Sequence, residues 1–170
     1  MRNKKQYINI EIDKLTKSIE NAITGDKFDT EILKITKSDY KNLKTGWNFD
    51  WIKETNKNEV YKLVIINNPD IIQGLISIID GRDHILINLI ESAYFNIGQN
   101  KTYKGVAGNL FAFACKISFD RDYNGYVAFV SKTQLVQHYK RTLGAQQIGN
   151  SIRLFIDTKA ALKLVQLYYN

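Results

Sequence analysis

Residues 102–110 read Thr102-Tyr103-Lys104-Gly105-Val106-Ala107-Gly108-Asn109-Leu110, and the reading of this stretch decides the fold. Small residues lead directly into the apolar run Leu110–Phe119, so the pattern predicts a turn opening a helix. The amides that open a helix have no partner inside it and carry the positive end of its dipole. Glycine and alanine let a ligand approach that backbone closely. Together they make a phosphate site, with Lys101 and Lys104 adding charge beside it. A plain turn with glycines has the same spacing, so the glycines alone leave both readings open. Two better-known phosphate loops are excluded: no Gly-Lys-Ser/Thr follows, and the pattern is not Gly-x-Gly-x-x-Gly.

Upstream, Val60–Ile66, Ile71–Ile79 and His84–Phe95 are rich in branched side chains, and Asp80-Gly81 between the last two is a hairpin signal. They predict three successive antiparallel strands. Earlier still, Ile12, Leu15, Ile19, Ala22 and Ile23 recur at spacings of three and four, which predicts a helix over Ile12–Ile23 stopped by Gly25. Glu31–Thr36 is a strand candidate. Ser38 is placed to cap a helix towards Lys44, with Asp39 in its first turn and Gly46 beyond its end.

Downstream, Asn109–Phe119 is an apolar helix and Asn124-Gly125 introduces a strand, Tyr126–Val130. Ser131 or Thr133 caps a helix ending at Leu143 and Gly144. A hairpin turns at Gly149-Asn150 into the strand Ser151–Ile156. A last helix over Thr158–Tyr168 carries Ala161, Leu162, Val165 and Tyr169 on one side. The order predicts a single α/β (α+β) domain over residues 1–170, a mixed, mostly antiparallel sheet with helices packed on it.

The chain of 170 residues is 44% apolar, enough for a core without staples, and its single cysteine excludes an internal disulfide. Cys115 lies among Phe111, Phe113 and Ile117 and reads as a buried thiol rather than a nucleophile. His84 and His138 lie in no Cys/His cluster, so no metal is expected, and His138 is expected at the surface. No run is long enough to span a bilayer. Arg2, Lys4 and Lys5 precede no apolar stretch of the kind a secretory signal has, so the expected location is the cytoplasm. The net charge of +7 favours polyanionic partners, either nucleic acid or a ligand with several phosphates. Trp47, Phe49 and Trp51 read as a satellite core, or as an acceptor pocket whose cation Asp50 and Glu54 would attract.

Two stretches carry a family resemblance. Thr102-Tyr103-Lys104-Gly105-Val106-Ala107 resembles the Gln/Arg-x-x-Gly-x-Gly/Ala of the GNAT acetyltransferase superfamily, with Thr102 in place of Gln or Arg. Tyr139-Lys140-Arg141-Thr142-Leu143-Gly144-Ala145 resembles the family's Tyr-x-x-x-Leu-Gly-Phe. Lys132 stands where the family has an asparagine. The order of elements from Val60 to Ile156 is similar to the family's core.

The resemblance implies an N-acetyltransferase that moves acetyl directly from acetyl-CoA to an amine, without a metal. Thr102, Tyr103, Lys104, Gly105, Val106, Ala107, Gly108 and Asn109 would hold the pyrophosphate. The strand edge Glu91–Phe95, with Ser92, Ala93 and Phe95, would hold the pantetheine arm, and Lys132 would lie beside it. Tyr139 is the implied acid for the CoA sulfur. Glu91, within an apolar run, is the candidate base. Two alternatives stand beside this one. A catalytically silent module would bind CoA or a partner only, and a nucleic-acid-facing enzyme would acetylate an aminoacyl-tRNA.

Overall fold

The computed structural model describes residues 7–170; the basic positions Arg2, Lys4 and Lys5 lie outside them. The first described segment overturns one expectation. Residues 7–18 form no helix; they run as an irregular strap that reaches the short strand β1 (Ile19–Asn21). The apolar spacing misled for a simple reason. A spacing of four is also a multiple of two, so it marks one side of an extended chain as well as one face of a helix. Ile8, Ile12 and Thr16 are all buried, and the amide of each donates outside the segment. Ile8 N–H reaches the Val130 carbonyl at 2.7 Å, Ile12 N–H the His138 Nε2 at 2.9 Å, and Thr16 N–H the Tyr168 hydroxyl at 3.1 Å. These external acceptors replace the internal ones that a helix would offer.

After β2 (Lys27–Phe28) and β3 (Thr30–Lys34), the expected helix near Ser38 is a 3-10 turn over Lys37–Asn42. Its cap is Thr36 rather than Ser38, with Asp39 closing a capping box. A single helical turn, α1 (Trp51–Thr55), follows, capped by the Asp50 carboxylate.

The three branched runs become β4 (Glu59–Ile65), β5 (Gly74–Asp80) and β6 (Ile85–Ser92), paired antiparallel. β6 stops at Ser92, and residues 94–96 form a 3-10 turn, so Phe95 is not on the strand edge. Then come β7 (Tyr103–Lys104), α2 (Val106–Asp120), β8 (Val127–Val130), α3 (Val136–Leu143), β9 (Gln146–Gln147), β10 (Arg153–Ile156) and α4 (Thr158–Tyr169). The main sheet has seven strands in the order β3-β4-β5-β6-β8-β10-β9. The β6–β8 pair is parallel, and the other pairs are antiparallel. A three-stranded ribbon, β2-β1-β7, lies apart from it. In α4 the buried side chains are Ala161, Leu164 and Tyr168, whereas Leu162 and Tyr169, expected inside, are exposed.

One irregularity shapes the middle of the sheet. Ser77 pairs with Leu89 but Ile78 pairs with Ile87, which leaves Asn88 as an extra residue in β6. Such a bulge bends its strand and sharpens its twist. β8 pairs with β6 only over Ile85–Ile87, up to the residue before the bulge. Beyond it the two parallel strands no longer bond to each other. Glu54 of α1 fixes the bend. One carboxylate oxygen accepts from Asn88 and Ser77 at 2.6 Å each and from Asn58 at 2.8 Å. At the far end of α2, Arg121 bridges Glu59 at 2.7 Å and Asp80 at 3.0 Å, which ties that helix to β4 and β5.

A smaller core of Leu43, Trp51, Val60, Ile72, Leu75 and Leu89 holds the 3-10 turn and α1 on the sheet. Lys62 passes through this region to reach Asp39 at 2.6 Å and the Pro69 carbonyl at 2.8 Å. Both partners of the pair are almost fully buried. Removing one partner of a buried pair strands the other charge, which costs about 3 kcal/mol or more. Asp39→Ala is therefore expected to lose about 3 kcal/mol in urea unfolding, and Asp39→Ala/Lys62→Met to recover most of that loss.

Candidate functional site

The divergence of β6 from β8 opens a V in the sheet, and a cleft of about 310 Å³ lies beside it. Ile90, Glu91 and Ser92 line one side, and Tyr7, Ile10 and Glu11 line the other. The site residues expected from the sequence divide around this cleft into three groups.

Glu91 and Ser92 lie on it, both buried. Glu91 also holds a neighbouring turn. Its Oε1 accepts from Trp51 Nε1 at 2.9 Å and Phe49 N–H at 3.2 Å, and its Oε2 from Asn48 N–H at 2.7 Å. Three donors from one turn make it a clamp on the aromatic segment, a role with no local signature in the sequence.

Tyr139, on α3, does not line the cleft and reaches it only through Ile10. It packs on Phe111 and Phe129, with ring centroids 5.7 and 5.3 Å away. Its side chain is fully buried, and burial pushes the phenol well above its ordinary range. The phenol is thus held in its proton-bearing form. The hydroxyl donates to the Ile10 carbonyl.

Gly105 opens α2 with φ of 98°, a left-handed conformation that favours glycine. Val106, Ala107, Gly108 and Asn109 follow in the first turns of the helix, all buried. The helix begins three residues earlier than expected, so the amides of Val106, Ala107 and Gly108 open it, while Asn109 N–H donates inside it to the Gly105 carbonyl at 3.3 Å. The Gly105 amide is already occupied: it donates to Asp13 Oδ1 at 3.0 Å, while Lys101 donates to Asp13 Oδ2 at 2.9 Å.

The remaining candidates are dispersed. Tyr103 and Lys104 are β7, paired with Asn21 and Glu20. Thr102 is exposed, its N–H on the Phe95 carbonyl at 2.7 Å and its carbonyl taken by Ala22 N–H at 2.9 Å. Ala93 and Phe95 line a separate depression of about 210 Å³ with Trp47 and Ile72. Lys132 is exposed, and its N–H donates to the Ile8 carbonyl at 3.0 Å.

The aromatic trio is mainly core: Trp51 is fully buried, and Trp47 and Phe49 pack on it as part of the smaller cluster. Asp50 and Glu54 are committed to the helix cap and the bulge, so neither is free to draw in a cation. His138, expected at the surface, is half-buried. To accept the Ile12 amide its Nε2 must carry a lone pair, which places the ring proton on Nδ1. Ile10, Ile12 and Asp13 have no sequence cue of their own, because each acts through a contact more than ninety residues distant. Among the described residues, no group of His, Cys, Asp and Glu could hold a metal, and no helix is long and apolar enough to cross a membrane.

No protein-family model matches the chain, and no curated protein matches its sequence. Solved structures do match its shape. The crystal structure of AtaTR bound with acetyl-CoA superposes with a TM-score of 0.53 at 16% identity, over 80% of this chain and 98% of that one. A tyrosine-to-phenylalanine mutant of the AtaT toxin, bound to the C-terminus of the antitoxin AtaR and acetyl-CoA, superposes with a TM-score of 0.50 at 15% identity, over the same shares. The fold is GNAT-like. At this identity the match establishes architecture.

Cys115 takes no part in the cleft. It is fully buried, and burial pushes its thiol up to about 12. A native-state thiol reagent at neutral pH is expected to modify it at least about a hundredfold more slowly than after unfolding. Rapid native labelling would show that the thiol is accessible after all.

Proposed function

We propose that this chain is an N-acetyltransferase that moves the acetyl group of acetyl-CoA directly onto an amine. The observation that supports the reading is that, in a GNAT-like fold, the β6 edge lines a cleft whose opposite wall, residues 7–13, also meets the α2 opening at Gly105 and the phenol of Tyr139. The solved structures that share the fold are bound with acetyl-CoA, which supports the choice of cosubstrate.

In this reading the pyrophosphate lies against the opening amides from Gly105 to Gly108, with Asn109 closing the turn behind them, where helix-end donors favour an anion. The pantetheine arm lies along β6 near Ser92. The neutral amine attacks the thioester carbonyl carbon; the carbon–nitrogen bond forms and the carbon–sulfur bond breaks. The electron pair leaves with sulfur. Tyr139 donates a hydrogen bond and then its proton to that thiolate. Glu91 takes the surplus proton of the amine through water. Its Oε2 is the better placed oxygen, since it accepts one hydrogen bond where Oε1 accepts two. The depression at Trp47, Ile72 and Phe95 is the proposed entrance for the acceptor.

Free-thiol release from acetyl-CoA across a panel of amines tests the activity. With any substrate that turns over, Tyr139→Phe is expected to lower kcat by about ten- to a hundredfold and to move the acetyl-CoA Kd by less than about threefold. Unchanged kcat would remove the acid role. The base makes a separate prediction. With a substrate that turns over, Glu91→Gln should lower kcat by about tenfold or more, and an unchanged kcat would assign the proton to another acceptor.

One observation favours a second reading. The cleft already contains part of the chain, as a catalytically silent module would have it. Absence of thiol release from acetyl-CoA with every amine of a broad panel would support that reading.

A further inference from the structure

In a GNAT-like fold three features must be free for a cofactor to enter: the open edge beyond the β6 bulge, the amides at the start of α2, and the phenol facing the sulfur. Here one segment, residues 7–18, uses all three. Ile8 pairs with the end of β8, its N–H on the Val130 carbonyl at 2.7 Å and its carbonyl taken by Lys132 N–H at 3.0 Å. It therefore lies as a short strand in the V that the bulge opens. The Ile10 carbonyl takes the Tyr139 hydroxyl. The Asp13 carboxylate lies between the Gly105 amide at 3.0 Å and the Lys101 ammonium at 2.9 Å. A carboxylate held by a helix-opening amide and a lysine is chemically a stand-in for phosphate.

The small residues of the loop are filled in the same way. A Cβ added at Gly105 would lie 2.8 Å from Thr16 Cγ2 and 3.1 Å from the Ser18 carbonyl, and one added at Gly108 would meet the Tyr168 hydroxyl of α4 first, then Leu15 Cδ2 at 3.1 Å and the Lys14 carbonyl at 3.3 Å. The close approach that glycine permits is made by residues 14–18 together with Tyr168. The segment thus places peptide groups, a carbonyl and an anion along the groove, the kinds of group that a pantetheine thioester with its phosphates carries.

We propose that residues 7–18 are an autoinhibitory strap, a built-in mimic of acetyl-CoA that the cofactor must displace before it can bind. This rests on the cofactor reading given above. The form of the strap suits a part that lifts away. It belongs to no strand of either sheet beyond the isolated bridge at Ile8. Asn9, Glu11, Asp13, Lys14 and Lys17 are exposed along it, while Ile8 and Ile12 pack in the main core, so release uncovers those two side chains. The apparent affinity for acetyl-CoA is then the intrinsic affinity multiplied by the fraction of chains with the strap open. Anything that holds the strap down is an off-switch, and anything that draws it away is an activator.

The test measures acetyl-CoA binding to the full-length chain by calorimetry. Asp13→Ala removes the anion from the Gly105 amide and should tighten binding by about tenfold. Loss of an acidic group near a phosphate site also tightens binding by charge alone, so a second variant decides. Ile8→Cys/Ser131→Cys joins the residues of the isolated bridge, whose close backbones suit a disulfide. Oxidised, this variant should lose at least about a hundredfold in affinity, and dithiothreitol should restore the starting value, which also shows that the variant is folded. In the unmodified chain, saturating acetyl-CoA should speed amide exchange at Ile8 and Ile12. Equal acetyl-CoA affinity in the oxidised, reduced and unmodified chains would overturn the strap while leaving the cofactor reading intact. No binding by any of them, Asp13→Ala included, would overturn the cofactor reading and the mimic with it.

Discussion

The site depends on a single extra residue. Asn88 is the surplus of the β5–β6 register, and the parallel pairing of β6 with β8 ends one residue before it. A parallel pair that continued would have satisfied its backbone groups across the sheet and left no groove. The bend at the bulge prevents that. Glu54 gathers Asn88, Ser77 and Asn58 on one carboxylate oxygen, so both strands of the hairpin are held at the bend from the short helix α1. The groove is therefore imposed by the hydrogen bonding of a buried acid. The smaller hydrophobic cluster, where Trp51 packs on Leu75 and Leu89, keeps that acid in place.

Much of this architecture was legible in the sequence, and for physical reasons. The runs between Val60 and Phe95 are long, branched and broken by Asp80-Gly81, so their pattern matches their final environment. The two helices that flank the groove were legible too, because Gly105 and Gly144 sit at their ends in left-handed conformations that favour glycine. The failures share a cause. Residues 12–23 carry a spacing that suits two structures, and the choice between them lies with distant acceptors on His138 and Tyr168. Glu91 sits in the strand as expected, but its three donors come from a turn some forty residues earlier. Nothing within a short window records a contact across that distance. The bulge is hidden as well, since inserting one residue in a continuous apolar run leaves the run apolar.

The two departures from the family motifs take on a different meaning in this light. Thr102 replaces a residue that would reach phosphate, and Lys132 replaces an asparagine at the end of the diverging strand. In the structure both positions are docking points for the N-terminal region: the Thr102 carbonyl accepts Ala22 N–H, and Lys132 N–H donates to Ile8. Both contacts run through the backbone, so the side chains that the motif specifies are not needed to make them. Under the strap proposal, a groove filled by its own chain would require less of its cofactor-binding side chains in the resting state. It would require more of the backbone, which would have to offer the same amides and carbonyls to two occupants in turn. The residues that remain true to the motif are those that set backbone shape or pack against it: Gly105 with its left-handed turn, Ala107 in the buried first turn of α2, Gly144 at the end of α3, and Tyr139 between two phenylalanines. The pattern that survives is the pattern of the groove itself, and it is indifferent to whether peptide or cofactor lies in it.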